Sequence, residues 1–227
     1  MLENLPENNL LIDHYLQELR TLSSEIVRTF NEIESIVHSR KQGTEAVFTF
    51  PHIPDKYFFI QPDVFTRIAS IQVHSANINK ILFATPRKKN EAKSKYDYRV
   101  KRSDELQKYF DMDRISEIRS NDVRNSLEHF DERLDNISLR LWNRSIDGEY
   151  EVIASNIILS SEGALHGKPY YLKCYIIDSK IYKNAEKESN LGELVSEANY
   201  IRTVVESKLI SNPQAGSIII IPPRPKS

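Results

Sequence analysis

A single cysteine, Cys174, stands in the 227 residues, so no disulfide can form within the chain and a disulfide scaffold is excluded. Its neighbours, Tyr171-Leu172-Lys173-Cys174-Tyr175, have strand character, which predicts a buried and inert thiol. Glycine is scarce, at six, and no pair of glycines has the spacing of a phosphate-cradling loop. A serine-nucleophile elbow is missing too. No stretch approaches the roughly 18 consecutive apolar residues of a membrane span, so no membrane partner is expected. The opening Met1-Leu2-Glu3-Asn4-Leu5-Pro6-Glu7 is acidic and lacks the basic start and apolar run of a secretory signal, from which a cytoplasmic protein is expected. His14, His38, His52, His74 and His166 have no metal-ligand spacing, and neither a metal nor another cofactor is expected. Charge of one sign is also lacking: 31 Lys and Arg against 32 Asp and Glu leave a net charge of -1. That balance excludes a uniformly basic nucleic-acid coat but allows a local patch, because a polyanion responds to the field where it docks.

What is present is helical periodicity. Leu11, Tyr15, Leu19, Leu22, Ile26, Phe30, Ile33 and Val37 recur at steps of three and four, which predicts a long helix ending near Gly43. Residues 45–60 are β-branched and aromatic but broken by Pro51 and Pro54, the pattern of a short hairpin or an extended excursion, expected to cover one end of a bundle. A second helix is predicted from Pro62 through Leu82, with Pro86 closing it. Ser103 is placed to cap a short helix through Phe110, and a longer helix is expected from about Asp113 through Ile137. After Ile137 the character changes. Asp147-Gly148 reads as a tight turn between strands at 139–144 and 150–160, a further strand pair is expected at 170–178 and 180–183, and a last helix at 191–209. The run Ser217-Ile218-Ile219-Ile220-Ile221 before two prolines is expected to pair with a sheet edge or a second subunit.

The fold class expected is therefore mainly α: a bundle of four to five antiparallel helices over 1–138, with a small α+β part over 139–227, strand hairpins plus one helix, packed on it without a polar linker. Residues 86–102 carry the strongest positive cluster, Arg87, Lys88, Lys89, Lys93, Lys95, Arg99, Lys101 and Arg102 against Glu91 and Asp97. Tyr96 and Tyr98 are interleaved where they could stack on bases, so these eight residues are the candidate RNA contacts. A solvated loop between helices is the alternative.

The predicted fourth helix carries Arg124-Asn125-Ser126-Leu127-Glu128-His129. This segment resembles the signature of the HEPN superfamily of RNA-acting helical domains, an Arg followed by a polar residue and then a His four to six residues on. The resemblance covers about residues 8–138 and implies an HEPN-like bundle with Arg124, Asn125 and His129 as catalytic residues of a metal-independent endoribonuclease, RNA as substrate or ligand, and a homodimer that joins two such sets. It also implies a toxin or antiviral defence effector, with an antitoxin or regulatory protein as a possible partner. Many members carry Tyr two residues beyond the His, where this chain has Asp131.

The residue types suit that chemistry. An imidazole exchanges protons near neutral pH, so His129 could take the proton of a ribose 2′-hydroxyl or give one to the leaving oxygen. The guanidinium of Arg124 offers a charged fork to phosphate oxygens, and Asn125 would orient the scissile group. On a helix Asn125 and His129 stand about 40° apart, whereas Arg124 is about 140° from His129 and must swing toward it. Other readings stay open. Arg124 and Glu128 could form a surface ion pair, His129 could be bonded to a nearby carboxylate, and the eight acids against four arginines in 111–137 would repel a polyanion. A non-catalytic HEPN-like dimer binding RNA, nucleotide or a protein partner, or a plain helical protein, would follow.

Overall fold

The computed structural model describes residues 10–42, 48–50, 53–120, 130–143, 150, 152–165 and 167–209. α1 spans Leu10–Gln42, and its buried Ile12, Leu16, Leu19, Ser23, Ile26, Phe30, Ile33 and Val37 alternate steps of four and three. Such a seam keeps one face toward its neighbours over nine turns, and it packs against α2, Pro62–Leu82, and the last helix, α5, Leu191–Lys208. Pro62 opens α2 in the first turn, where its missing N–H costs nothing. Asn190 caps α5 by accepting a hydrogen bond from the Glu193 amide at 3.1 Å.

A six-stranded sheet completes the core in chain order: β1 Phe48–Phe50, β2 Ile53–Phe59, β3 Val152–Leu159, β4 Pro169–Ile176, β5 Ile181–Asn184 and β6 Lys187–Asn190. Only the β3–β4 pair is parallel. The expected strand pair at 170–178 and 180–183 forms as β4 and β5. The hairpin expected over 45–60 forms as the antiparallel pair β1 and β2. β2 in turn pairs with β3, and the Tyr57 amide donates to the Ser160 hydroxyl at 3.0 Å while the Ser160 amide donates back to the Tyr57 carbonyl. One sheet thus takes strands from both the N-terminal and the C-terminal parts of the chain.

The alternation of β4 divides the surroundings of the sheet. Tyr175 faces the helices, in a core that also holds Leu19, Ile71 and Ile201. Cys174 and Ile176 face the other way, onto Leu159 and Ala164, and the thiol is fully buried as its context predicts. Tyr170 and Leu172 share that second face and receive Ile137 of the fourth helix, α4, Phe130–Trp142. The protein is thus predominantly helical with an integral α+β part. Among the described residues no helix is long and apolar enough to cross a membrane.

Three local expectations are corrected. Ser103 does not start a helix: it lies inside α3, Lys93–Gln107, and its hydroxyl donates to the Leu82 carbonyl. The α-helix expected from about Asp113 through Ile137 is helical from Phe130, in α4, but its start is a single 3-10 turn, Met112–Arg114, followed by non-helical residues to 120, where Glu197 takes the amide hydrogens of Ser116, Glu117 and Ile118. Leu139–Trp142 is the end of α4 and not a strand. The Asp147-Gly148 turn and the Ser217–Ile221 run lie outside the described residues.

Candidate functional site

Just two side chains of α3, Ser103 and Leu106, are buried, so burial alone does not account for this helix. Polar attachment to the end of α2 does. The last carbonyls of a helix have no partner within it, and α3 supplies donors for three of them. Arg102 Nη2 reaches Lys80 O at 2.9 Å and Ile81 O at 3.1 Å, and Gln107 Nε2 reaches Leu82 O at 2.7 Å beside the Ser103 hydroxyl. A guanidinium at a helix C-terminus also meets the negative end of its dipole. Arg102 further lies 4.9 Å from the Tyr15 ring centroid, a cation–π contact.

The turn leading into α3 is organised by Glu91. Its carboxylate accepts two bonds from Arg99, at 2.9 and 2.7 Å, and one from the Lys88 amide at 3.3 Å. The Glu91 amide bonds to Lys88 O at 3.0 Å, and Arg87 Nε donates to Glu91 O at 3.0 Å. The Arg99 hydrogen bonds hold the Glu91 carboxyl down to about 2, so it stays ionised throughout the physiological range.

Among the described residues, two clefts open on α3. The first, of about 460 Å³, is lined by Asn79, Phe83, Tyr96, Asp104, Gln107 and Arg119 among others. Arg119 lies 5.2 Å over the Phe83 ring, and Asn79 Nδ2 fixes that end of the chain by donating to Ile118 O and Arg119 O at 3.0 and 2.9 Å. The second cleft, of about 560 Å³, gathers Lys80, Lys88, Lys95, Arg99 and Arg102 around Glu91.

Of the eight basic candidates, Lys88, Lys95, Arg99 and Arg102 therefore meet at one cleft, while Arg87, Lys89, Lys93 and Lys101 are exposed outside its lining. Arg99 and Arg102 are already committed to partners in the fold. Lys80 joins them from α2; its position in the last turn of a helix running into the basic segment was the available signal. Tyr96 lines the first cleft, but Tyr98 turns toward Tyr15, and burial together with that contact raises its hydroxyl. Arg124, Asn125 and His129 lie outside the described residues. On their far side, α4 is held through Ile137, an Arg133–Glu186 ion pair at 2.7 Å and a Tyr170 hydroxyl donating to Glu186 at 2.9 Å. Its Leu134, Leu139, Leu141 and Trp142 remain 42%, 58%, 48% and 86% exposed. Among the described residues no group of His, Cys, Asp and Glu is placed to hold a metal ion.

Comparison of the chain with protein-family models, with curated proteins and with solved structures gave no match.

Proposed function

We propose that this chain is a metal-independent endoribonuclease of HEPN type, acting as a toxin or antiviral effector and working as a homodimer. In this reading His129 exchanges the proton, Arg124 clamps the scissile phosphate and Asn125 orients it. The observation that carries the reading is the position of Arg119. It forms a wall of the cleft that also holds Phe83 and Tyr96, and it stands five residues before Arg124 in the sequence, so the described residue nearest the motif on this side belongs to a groove with aromatic and cationic groups. Such a groove suits a single strand, whose bases stack and whose phosphates pair with cations. The test is to incubate the purified protein with total RNA, with and without a chelator. Cleavage that survives the chelator and leaves cyclic phosphate ends is expected; intact RNA counts against the reading.

One observation favours a second reading, a non-catalytic module that docks a protein partner such as an antitoxin. α4 presents exposed leucines and Trp142 beside exposed Asp131, Glu132 and Asp135, a surface better suited to a protein than to a polyanion. Binding of a protein partner by α4 without cleavage of RNA would select it.

A further inference from the structure

We propose that the cleft between the end of α2 and the start of α3 receives a terminal phosphate group, either the monophosphate end of a nucleic acid or the end of a polyphosphate. The inference stands on the cleft itself and rests on the RNA reading only for one of these two sources.

The charges in the cleft are not equivalent. Glu91 is the one carboxylate in the lining, and Arg99 neutralises it through two hydrogen bonds. Arg102 is spent on the carbonyls of Lys80 and Ile81 and on the Tyr15 ring. The remaining cations, Lys80, Lys88 and Lys95, form no ion pair with a described carboxylate. Three ammonium groups thus line a space of about 560 Å³ whose one carboxylate, Glu91, is hydrogen-bonded by Arg99 and shares its remaining field with Lys95, so the cleft keeps a net positive charge.

The walls are fixed before any ligand arrives. The Glu91 turn ties Lys88 by its own amide and carbonyl, and Lys80 and Lys95 stand on helices that Arg102 joins. Thr85 and Asn90 add neutral polar groups to the rim. Arg102 also keeps a buried Nε–H with no described acceptor. The N-terminal turn of α3, which has no side-chain cap and no acidic residue, adds to the positive field.

This arrangement selects for charge. A backbone phosphodiester brings one negative charge, whereas a phosphate monoester brings between about 1.5 and 2 near neutral pH, and a chain of phosphates brings more. Three free ammonium groups are matched by the latter class. Lysine suits the task as a point charge that follows phosphate oxygens without a fixed planar geometry.

The experiment titrates full-length protein with tripolyphosphate by calorimetry, then with one short oligoribonucleotide carrying either a 5′-phosphate or a 5′-hydroxyl. Tripolyphosphate is expected to bind, and the pair Lys88→Ala, Lys95→Ala to weaken it at least about tenfold, while the charge-matched pair Lys168→Ala, Lys208→Ala leaves it within about twofold. A preference for the 5′-phosphorylated strand that the Lys88, Lys95 variant loses assigns the source to a nucleic-acid end. Equal binding of both strands assigns it to free polyphosphate. Absence of tripolyphosphate binding, or binding that both variant pairs leave equally strong, overturns the proposal. The variant Arg124→Ala, His129→Ala keeps the two readings apart: loss of cleavage there with tripolyphosphate binding intact leaves the cleft assignment standing whatever becomes of the nuclease.

Discussion

Glu197 of α5 fixes Ile118 by accepting its amide hydrogen at Oε2, 2.8 Å away, while Oε1 takes the amides of Ser116 and Glu117 at 2.9 and 2.8 Å. The Ser116 hydroxyl adds a bond at 3.1 Å, and Tyr200 accepts the Asp111 amide at 2.7 Å one turn along α5. A carboxylate that is 6% exposed thereby replaces a helix as the partner of this backbone.

Glu197→Ala removes the acceptor of three amides, that of Ile118 buried and those of Ser116 and Glu117 partly so, and a loss of about 2–4 kcal/mol of folding stability is expected. Urea unfolding checks it against Glu193→Ala, an exposed neighbour on the same helix whose loss is expected to stay within about 1 kcal/mol. Equal losses in the two variants would show that the clamp contributes little.

Glu117 behaves differently from Glu91. Burial raises its carboxyl above the ordinary 4.5, although the Ser189 hydroxyl and the Asn190 amide donate to it at 2.8 and 3.0 Å. A carboxyl raised in the folded state contributes stability that is full below the unfolded value and is lost as pH rises through the folded one. Glu117→Gln keeps an acceptor without the charge, so its stability relative to the parent protein is expected to improve as pH climbs from 4.5 to neutrality. A difference that does not change with pH would contradict this.

Cys174 is fully buried in β4, and burial pushes its thiol up to about 12. Thiolate reagents are therefore expected to modify it only as fast as the protein opens, with urea accelerating the reaction in step with unfolding. Rapid labelling of the native protein would rule that out.

Trp142 is the single tryptophan and is 86% exposed, so its emission reports on α4 alone. Dilute protein is expected to show long-wavelength, readily quenched fluorescence. If α4 meets a second copy or a protein partner, the emission shifts to shorter wavelength as concentration or partner is raised, in parallel with the mass seen by light scattering. Association without that shift would place the interface elsewhere.

The long elements were legible because burial and periodicity agree in them. α1, α2 and α5 carry apolar residues at helical steps, and Pro62 and Gly43 mark limits near the observed ends. Where polar contacts decide, the sequence pattern failed. α3 is a helix because Arg99 and Arg102 reach partners in Glu91 and at the end of α2, and residues 116–118 are not helical because their amides go to Glu197, 79 to 81 positions away in the chain. No local window contains either cause. The pairing of β3 with β2 and β4, rather than with a strand at 139–144, is likewise a long-range outcome. At the candidate site the basic run was legible as charge, but which cations are free was not, since that depends on where Glu91 and the carbonyls of α2 lie in space.

Ribonuclease activity of Arg124→Ala and His129→Ala, each against the parent protein on one labelled RNA in the presence of chelator, tests the functional account most directly. Both single variants are expected to keep the parent's thermal unfolding and to lose at least about a hundredfold in cleavage rate, the contribution typical of one positioned acid–base or charge-stabilising group. Two well-folded variants that cut RNA as fast as the parent would contradict it.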